Sequence, residues 1–182
     1  MSSLAKSGDP RARQTLRTAV QRADLPEDML VSAIRALGRE YATGQDIELI
    51  RGLYEKLEGE RARQSVISSI SELGGSENTR WLLGIVRQEG EPVALRRSAL
   101  RGAAKSGATT AELVALYEPA MSAQMKESLI SLYAERGDEA AIGKLLSIVK
   151  TEEDRSLRRR TIARLSKSDD PRVKKADRKS VV

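Results

Sequence analysis

The chain has no cysteine, no histidine and no phenylalanine, and only one tryptophan and four tyrosines among its 182 residues. Without Cys and His it has no disulfide, no thiolate nucleophile, no imidazole base and neither of the usual zinc ligands, so several large enzyme classes drop out together. The near-absence of aromatics leaves Leu, Ile, Val and Ala to fill the interior, which suits closely packed helices better than a strand sandwich. No segment approaches the roughly 18 apolar residues of a membrane span, and "MSSLAKSGDPRARQ" lacks the apolar core of a leader, which points to a soluble chain. The missing cysteines do not decide a compartment, and a leader removed from a longer precursor would leave the same chain.

What is present is charge, unevenly placed. The net charge is +6. From Arg155 to Val182 there are 11 Lys or Arg against 3 Asp, so the preceding residues, 21 basic and 23 acidic, are near neutral. A near-neutral body with a basic end is expected.

Apolar residues recur with a long period. Ala33, Ile34 and Leu37 return as Val66, Ile67 and Ile70, as Ala99, Leu100 and Ala103, as Leu129, Ile130 and Tyr133, and as Thr161, Ile162 and Leu165, in steps of 33, 33, 30 and 32. A second ladder, Leu16, Leu49, Leu82, Leu113 and Leu145, has partners four residues on at Val20, Leu53, Val86, Tyr117 and Val149. The i, i+4 spacing of both ladders places two amphipathic helices, A then B, in each repeat. Asp9-Pro10 and Asp170-Pro171 offer an N-cap with Pro at the first helical position, and "TTAE" (Thr109 to Glu112) offers a capping box. Gly74, Gly107 and Gly137 fall where B helices should stop. These signals place A helices over 10–22, 46–57, 77–89, 109–120 and 138–150, and B helices over 27–42, 60–73, 92–106, 122–136 and 154–167. "DDPRVKK" (169–175) echoes "GDPRARQ" (8–14), and "LSKS" (165–168) echoes "LAKS" (4–7), so the sequence begins and ends in mid-repeat. The expectation is one all-α domain over 1–182, a segment of a longer stacked array.

The stretches "ALRRSALRGAAKSG" and "SLRRRTIARLSKSDDPRV" resemble the B-helix pattern of the HEAT family, including its shorter bacterial type. The resemblance implies an all-α, right-handed α–α superhelix of about five two-helix repeats. It implies a non-enzymatic scaffold presenting its B-helix side as a concave protein-binding surface, with ion-paired ladders between adjacent turns. Tetratricopeptide repeats share the step but not the Trp, Gly, Tyr and Pro pattern.

Four residues before each Ile34-type position stand Leu30, Arg63, Arg96, Lys126 and Arg158, a cation in four of five repeats. With Arg97 and Arg159 beside them, these residues would grip an acidic peptide or a phosphate backbone. The competing reading is internal: a cation in the first turn opposes its own helix dipole, so its recurrence calls for a local partner, and the turn acids Glu58, Glu60, Glu89, Glu91 and Glu153 are placed to supply one. Trp81 would anchor a partner if exposed and would otherwise pack internally, as would Tyr41, Tyr54, Tyr117 and Tyr133.

The basic cluster Arg158, Arg159, Arg160, Arg164, Lys167, Arg172, Lys174, Lys175, Arg178 and Lys179 suggests, as an alternative, a nucleic-acid-binding module. It lacks the aromatic platforms of single-strand readers, which leaves non-specific duplex binding. Ser32, Ser65, Ser98 and Ser128 share a register but have no base to activate them. The carboxylates at Asp138, Glu139 and Glu152 to Asp154 sit at helix starts, which accounts for them without chemistry. A HEAT-like glycosylase would need an Asp facing an aromatic cleft, which the linear sequence does not show. No phosphate loop or metal-ligand spacing is present, so no catalytic residue, cofactor or metal is expected.

Overall fold

The computed structural model describes residues 9–22, 24–39, 42–118 and 120–167. Tyr41, Leu4–Ser7 and the segment from Ser168 onward, with its second Asp-Pro signature and its basic residues, lie outside the described residues. Among the described residues the chain is all-helical, with ten α-helices, one short 3-10 turn and no strand. It divides into two compact units, 1–108 and 109–182.

The first unit holds three helical hairpins. These are α1 (Pro10–Ala19) with α2 (Glu27–Leu37), α3 (Gly44–Leu53) with α4 (Glu60–Leu73), and α5 (Ser76–Arg87) with α6 (Val93–Lys105); Tyr54–Lys56 form the 3-10 turn after α3. Asp9 caps α1 by accepting from the Arg11 amide at 2.9 Å, with Pro10 at the first helical position. Each A helix packs on its own B helix, α2 packs on α4, and α4 packs on α6.

This packing explains the first ladder: Ile34, Leu37, Val66, Ile67, Ile70, Ala99, Leu100 and Ala103 are all buried. Each larger aliphatic removed from water contributes about 1.5–3 kcal/mol. Small residues set the spacing between B helices. A Cβ added to Gly38 would lie 2.6 Å from the Ser69 Cβ, and one added to Gly102 would lie 3.2 Å from the Ser71 Cβ. The Ser71 hydroxyl donates to the Gly102 carbonyl at 3.3 Å, and the Ser106 hydroxyl donates back to the Ser71 carbonyl at 3.2 Å. Between α4 and α5 the chain reverses through Gly74, whose φ of 63° would strain a residue with a Cβ.

The second unit holds α7 (Thr110–Val114) with α8 (Ala123–Arg136), and α9 (Glu139–Thr151) with α10 (Arg155–Leu165). Here α7 packs on α9 and α8 on α10, around Leu113, Met125, Leu129, Ile130, Tyr133, Ile142, Leu145 and Leu165. Gly137, at φ 62°, stops α8 and donates its amide to the Tyr133 carbonyl at 3.1 Å. Asp138 caps α9 and also accepts from the Thr110 hydroxyl, tying the starts of α7 and α9 together.

Three expected features are corrected. Helix α7 ends at Val114 instead of running to 120; beyond it Leu116 and Tyr117 form only tighter i to i−3 bonds. Helix α2 ends at Leu37, with Gly38 as its cap, instead of running to 42. Ile162 is 51% exposed, although its register-mates Ile34, Ile67, Leu100 and Ile130 are all buried.

Candidate functional site

Arg63, Arg96 and Lys126 of the cation register point inward, toward the A helix that precedes each. Tyr54 closes α3 in the 3-10 turn, and the Arg63 guanidinium lies 4.2 Å from the centre of its ring. Arg63 donates to Glu91 Oε1, while the Tyr54 hydroxyl donates to Glu91 Oε2 at 3.2 Å. Glu91 stands just before α6, in the turn of the next hairpin. Trp81 meets the Tyr54 ring edge-on at 5.4 Å, so it is half-buried behind the cluster. Arg63 Nε is buried without a hydrogen-bond partner.

The second unit repeats this arrangement, its ring and cation 63 residues on and its carboxylate 61. Tyr117 and Lys126 take the places of Tyr54 and Arg63, and Glu152 takes that of Glu91. Lys126 Nζ lies 3.0 Å from Glu152 Oε2, and the Tyr117 hydroxyl donates to the same carboxylate. Glu152 also accepts from the Asp154 amide at 3.2 Å, and Asp154 in turn caps α10. Lys144 approaches the other part of the ring, 5.0 Å from its centre. Burial acts to push the Glu152 carboxyl up, but Tyr117, Lys126 and the Asp154 amide outweigh it and hold the group below its ordinary value. Burial and the adjacent carboxylate push both Tyr54 and Tyr117 well above the usual phenol range. The partner in the second cluster is therefore Glu152, not the neighbouring Glu153.

Arg96, the register-mate between these two, is buried and donates Nε to the Val86 carbonyl at 2.9 Å. It thus satisfies a carbonyl at the C-terminal end of α5, where a cation is favoured. Of the remaining candidates, Arg158 is half-buried, while Arg97 and Arg159 are exposed. Arg63, Arg96 and Lys126 are engaged inside the fold and do not form an exposed stripe with Arg97 and Arg159.

A third polar centre escaped the sequence reading. Asp46 is fully buried. Its Oδ2 accepts from Arg13 at 2.7 Å, its Oδ1 accepts from Arg17 Nε at 2.6 Å, and the Thr43 amide and hydroxyl each donate at 2.8 Å. Thr43-Gly44-Gln45-Asp46 is a capping box, and Arg13 lies 33 residues before Asp46, one repeat step. Both signals were present in the sequence. Desolvation opposes the charge, but Arg17, the Thr43 amide and Arg13 prevail and hold the carboxyl far below the usual range.

The outward face of the first unit's B helices is different. Arg35 on α2, Arg39 just past it, and Arg101 and Lys105 on α6 are exposed, and Glu72 on α4 is the exposed carboxylate between them. None of the five forms an ion pair among the described residues. On the A side the exposed cations Arg11, Lys56, Arg80 and Arg87 are balanced by exposed Glu48, Glu55, Glu58 and Glu89. With every exposed charge of α2, α4 and α6 and Arg39 included, six cations (Arg35, Arg39, Arg61, Arg97, Arg101 and Lys105) stand against four carboxylates (Glu27, Asp28, Glu60 and Glu72), a modest positive excess, and Arg61 pairs with Asp28. Between α4 and α6 runs a groove of about 270 Å³, walled by Gln64, Ser68 and Glu72 on one side and Ser98, Arg101 and Lys105 on the other. Arg101 Nη2 donates to the Ser98 hydroxyl at 3.2 Å. In the second unit an open hollow of about 540 Å³ over Ile142, Leu145 and Leu165 is rimmed by Arg160, Arg164 and Lys167.

No family model matches the sequence, and no curated protein matches it. Among the described residues no helix is long and apolar enough to cross a membrane.

Proposed function

We propose that this chain is a non-enzymatic protein-interaction scaffold, a HEAT-like right-handed superhelix of about five hairpins that presents its B-helix side to a partner. The observation that carries the reading is a division of labour among its charges. Cations in the inward register serve the fold, whereas Arg35, Arg39, Arg101 and Lys105 on the B side of the first unit make no ion pair among the described residues, in contrast to Arg61, which pairs with Asp28. A surface assembled on stacked helices is already ordered, so a partner binds it with little loss of entropy. Immobilised chain should retain a protein that binds it again when both are purified. Failure to recover any such partner rejects the reading.

A second reading keeps one observation of its own. Helix α10 carries Arg155, Arg158, Arg159, Arg160 and Arg164, of which Arg160 pairs with Glu127. As a duplex-binding end it would bind DNA at 50 mM salt and lose affinity steeply by about 200 mM. No binding at the lower salt removes this alternative.

A further inference from the structure

The groove between α4 and α6 has a chemistry of its own. Its walls contain no aromatic ring, so it offers no stacking platform for a nucleobase. Ser68 and Ser98 line the channel, their hydroxyls accepting from Gln64 and Arg101 respectively, and two cations, Arg101 and Lys105, stand one helical turn apart on a single wall.

That spacing is informative. Four residues along a helix advance about 6 Å. Alternate residues of an extended peptide point to the same face and are separated by about 6.6 Å. Two carboxylates in the order acid-any-acid therefore match Arg101 and Lys105, while adjacent carboxylates point to opposite faces.

Resting on the scaffold reading, we propose that the α4–α6 groove binds an extended segment of a partner protein carrying two alternate carboxylates, one paired with Arg101 and the other with Lys105. Ser68 and Gln64 supply hydrogen bonds to its main chain from the opposite wall.

The test uses the full chain and two fluorescently labelled peptides of about eight residues, one with Glu-Ser-Glu at its centre and its isomer with Glu-Glu-Ser. Anisotropy at low salt should show the first binding several-fold tighter than the second. Arg101→Glu with Lys105→Glu should weaken it at least about tenfold. Arg80→Glu, a charge reversal on α5, should leave it unchanged. All three sites are exposed, and a melting curve for each variant confirms that it is folded.

Equal affinity for both isomers, an undiminished affinity in the double variant, or equally tight competition by single-stranded polyuridylate overturns the proposal. A captured partner protein that binds the double variant as well as the original chain also overturns it, yet leaves the scaffold reading standing. Recovery of no partner at all defeats both.

Discussion

At the scale of single residues, the polar interior decides more than its size suggests. Asp46 holds two arginines and a helix start at once, so replacing it by Asn leaves Arg13 and Arg17 without their counter-charge. Because both guanidiniums keep some contact with water, Asp46→Asn should cost about 2–4 kcal/mol, less than a fully enclosed pair, as read by urea unfolding. Its pH dependence has a definite sign. The folded carboxyl is more acidic than the unfolded one, so its contribution is complete above the unfolded value of about 3.9 and is lost as pH falls toward the folded value. Glu152, also lowered, acts in the same direction. Stability should therefore decline below about pH 4, and Asp46→Asn should flatten that decline relative to the unmodified chain. In the sequence, the recurrence of Arg63, Arg96 and Lys126 was legible, as was Glu91 as a turn acid. The inward reading with a turn acid as partner was legible too, but the particular partner of each cation was not, because it depends on Tyr54, Val86 and Tyr117 at or just past the end of the preceding A helix. Those positions hold a ring, a bare carbonyl and a ring, and a side-chain pattern does not reveal a carbonyl in need of a donor.

At the scale of helices, close approach and open space predict opposite outcomes for one kind of substitution. Gly38→Ala forces a methyl against Ser69 where α2 meets α4, and should destabilise by about 1–3 kcal/mol. Gly143→Ala, inside α9 with nothing within 4 Å of the new Cβ, should stabilise by about 0.5–1 kcal/mol. Thermal melts of the two variants should shift to opposite sides of the parent. Helix existence was legible throughout, since each A or B stripe kept a 3.6-residue rhythm, and α4 follows its expected span of 60–73. Helix ends were less so. The α7 ladder, Leu113 with Tyr117, satisfies the rhythm, but the helix ends at Val114 and the Tyr117 ring lies against Lys126 and Lys144 instead of continuing a stripe. Ile162 shows a different limit: it keeps the ladder's apolar identity while lying on the surface, and residue type alone cannot register which neighbour is there to cover it.

At the scale of the whole molecule, the proposed function rests on an allocation of charge: Arg63, Arg96 and Lys126 are engaged inside the fold, whereas Arg35, Arg39, Arg101 and Lys105 make no ion pair among the described residues. The two roles should separate experimentally. Arg63→Gln removes the partner of Glu91 and the cation over Tyr54, so it should lower the melting temperature without altering partner affinity in the fraction that is folded. The most direct test places a photocrosslinking residue at Gln64 or Ser98 on the B side, or at Glu48 or Arg80 on the A side, and illuminates each with the recovered partner bound. Crosslinks from the first two positions and none from the second two are the predicted result. Efficient crosslinking from Glu48 or Arg80, with Gln64 and Ser98 silent, would contradict it.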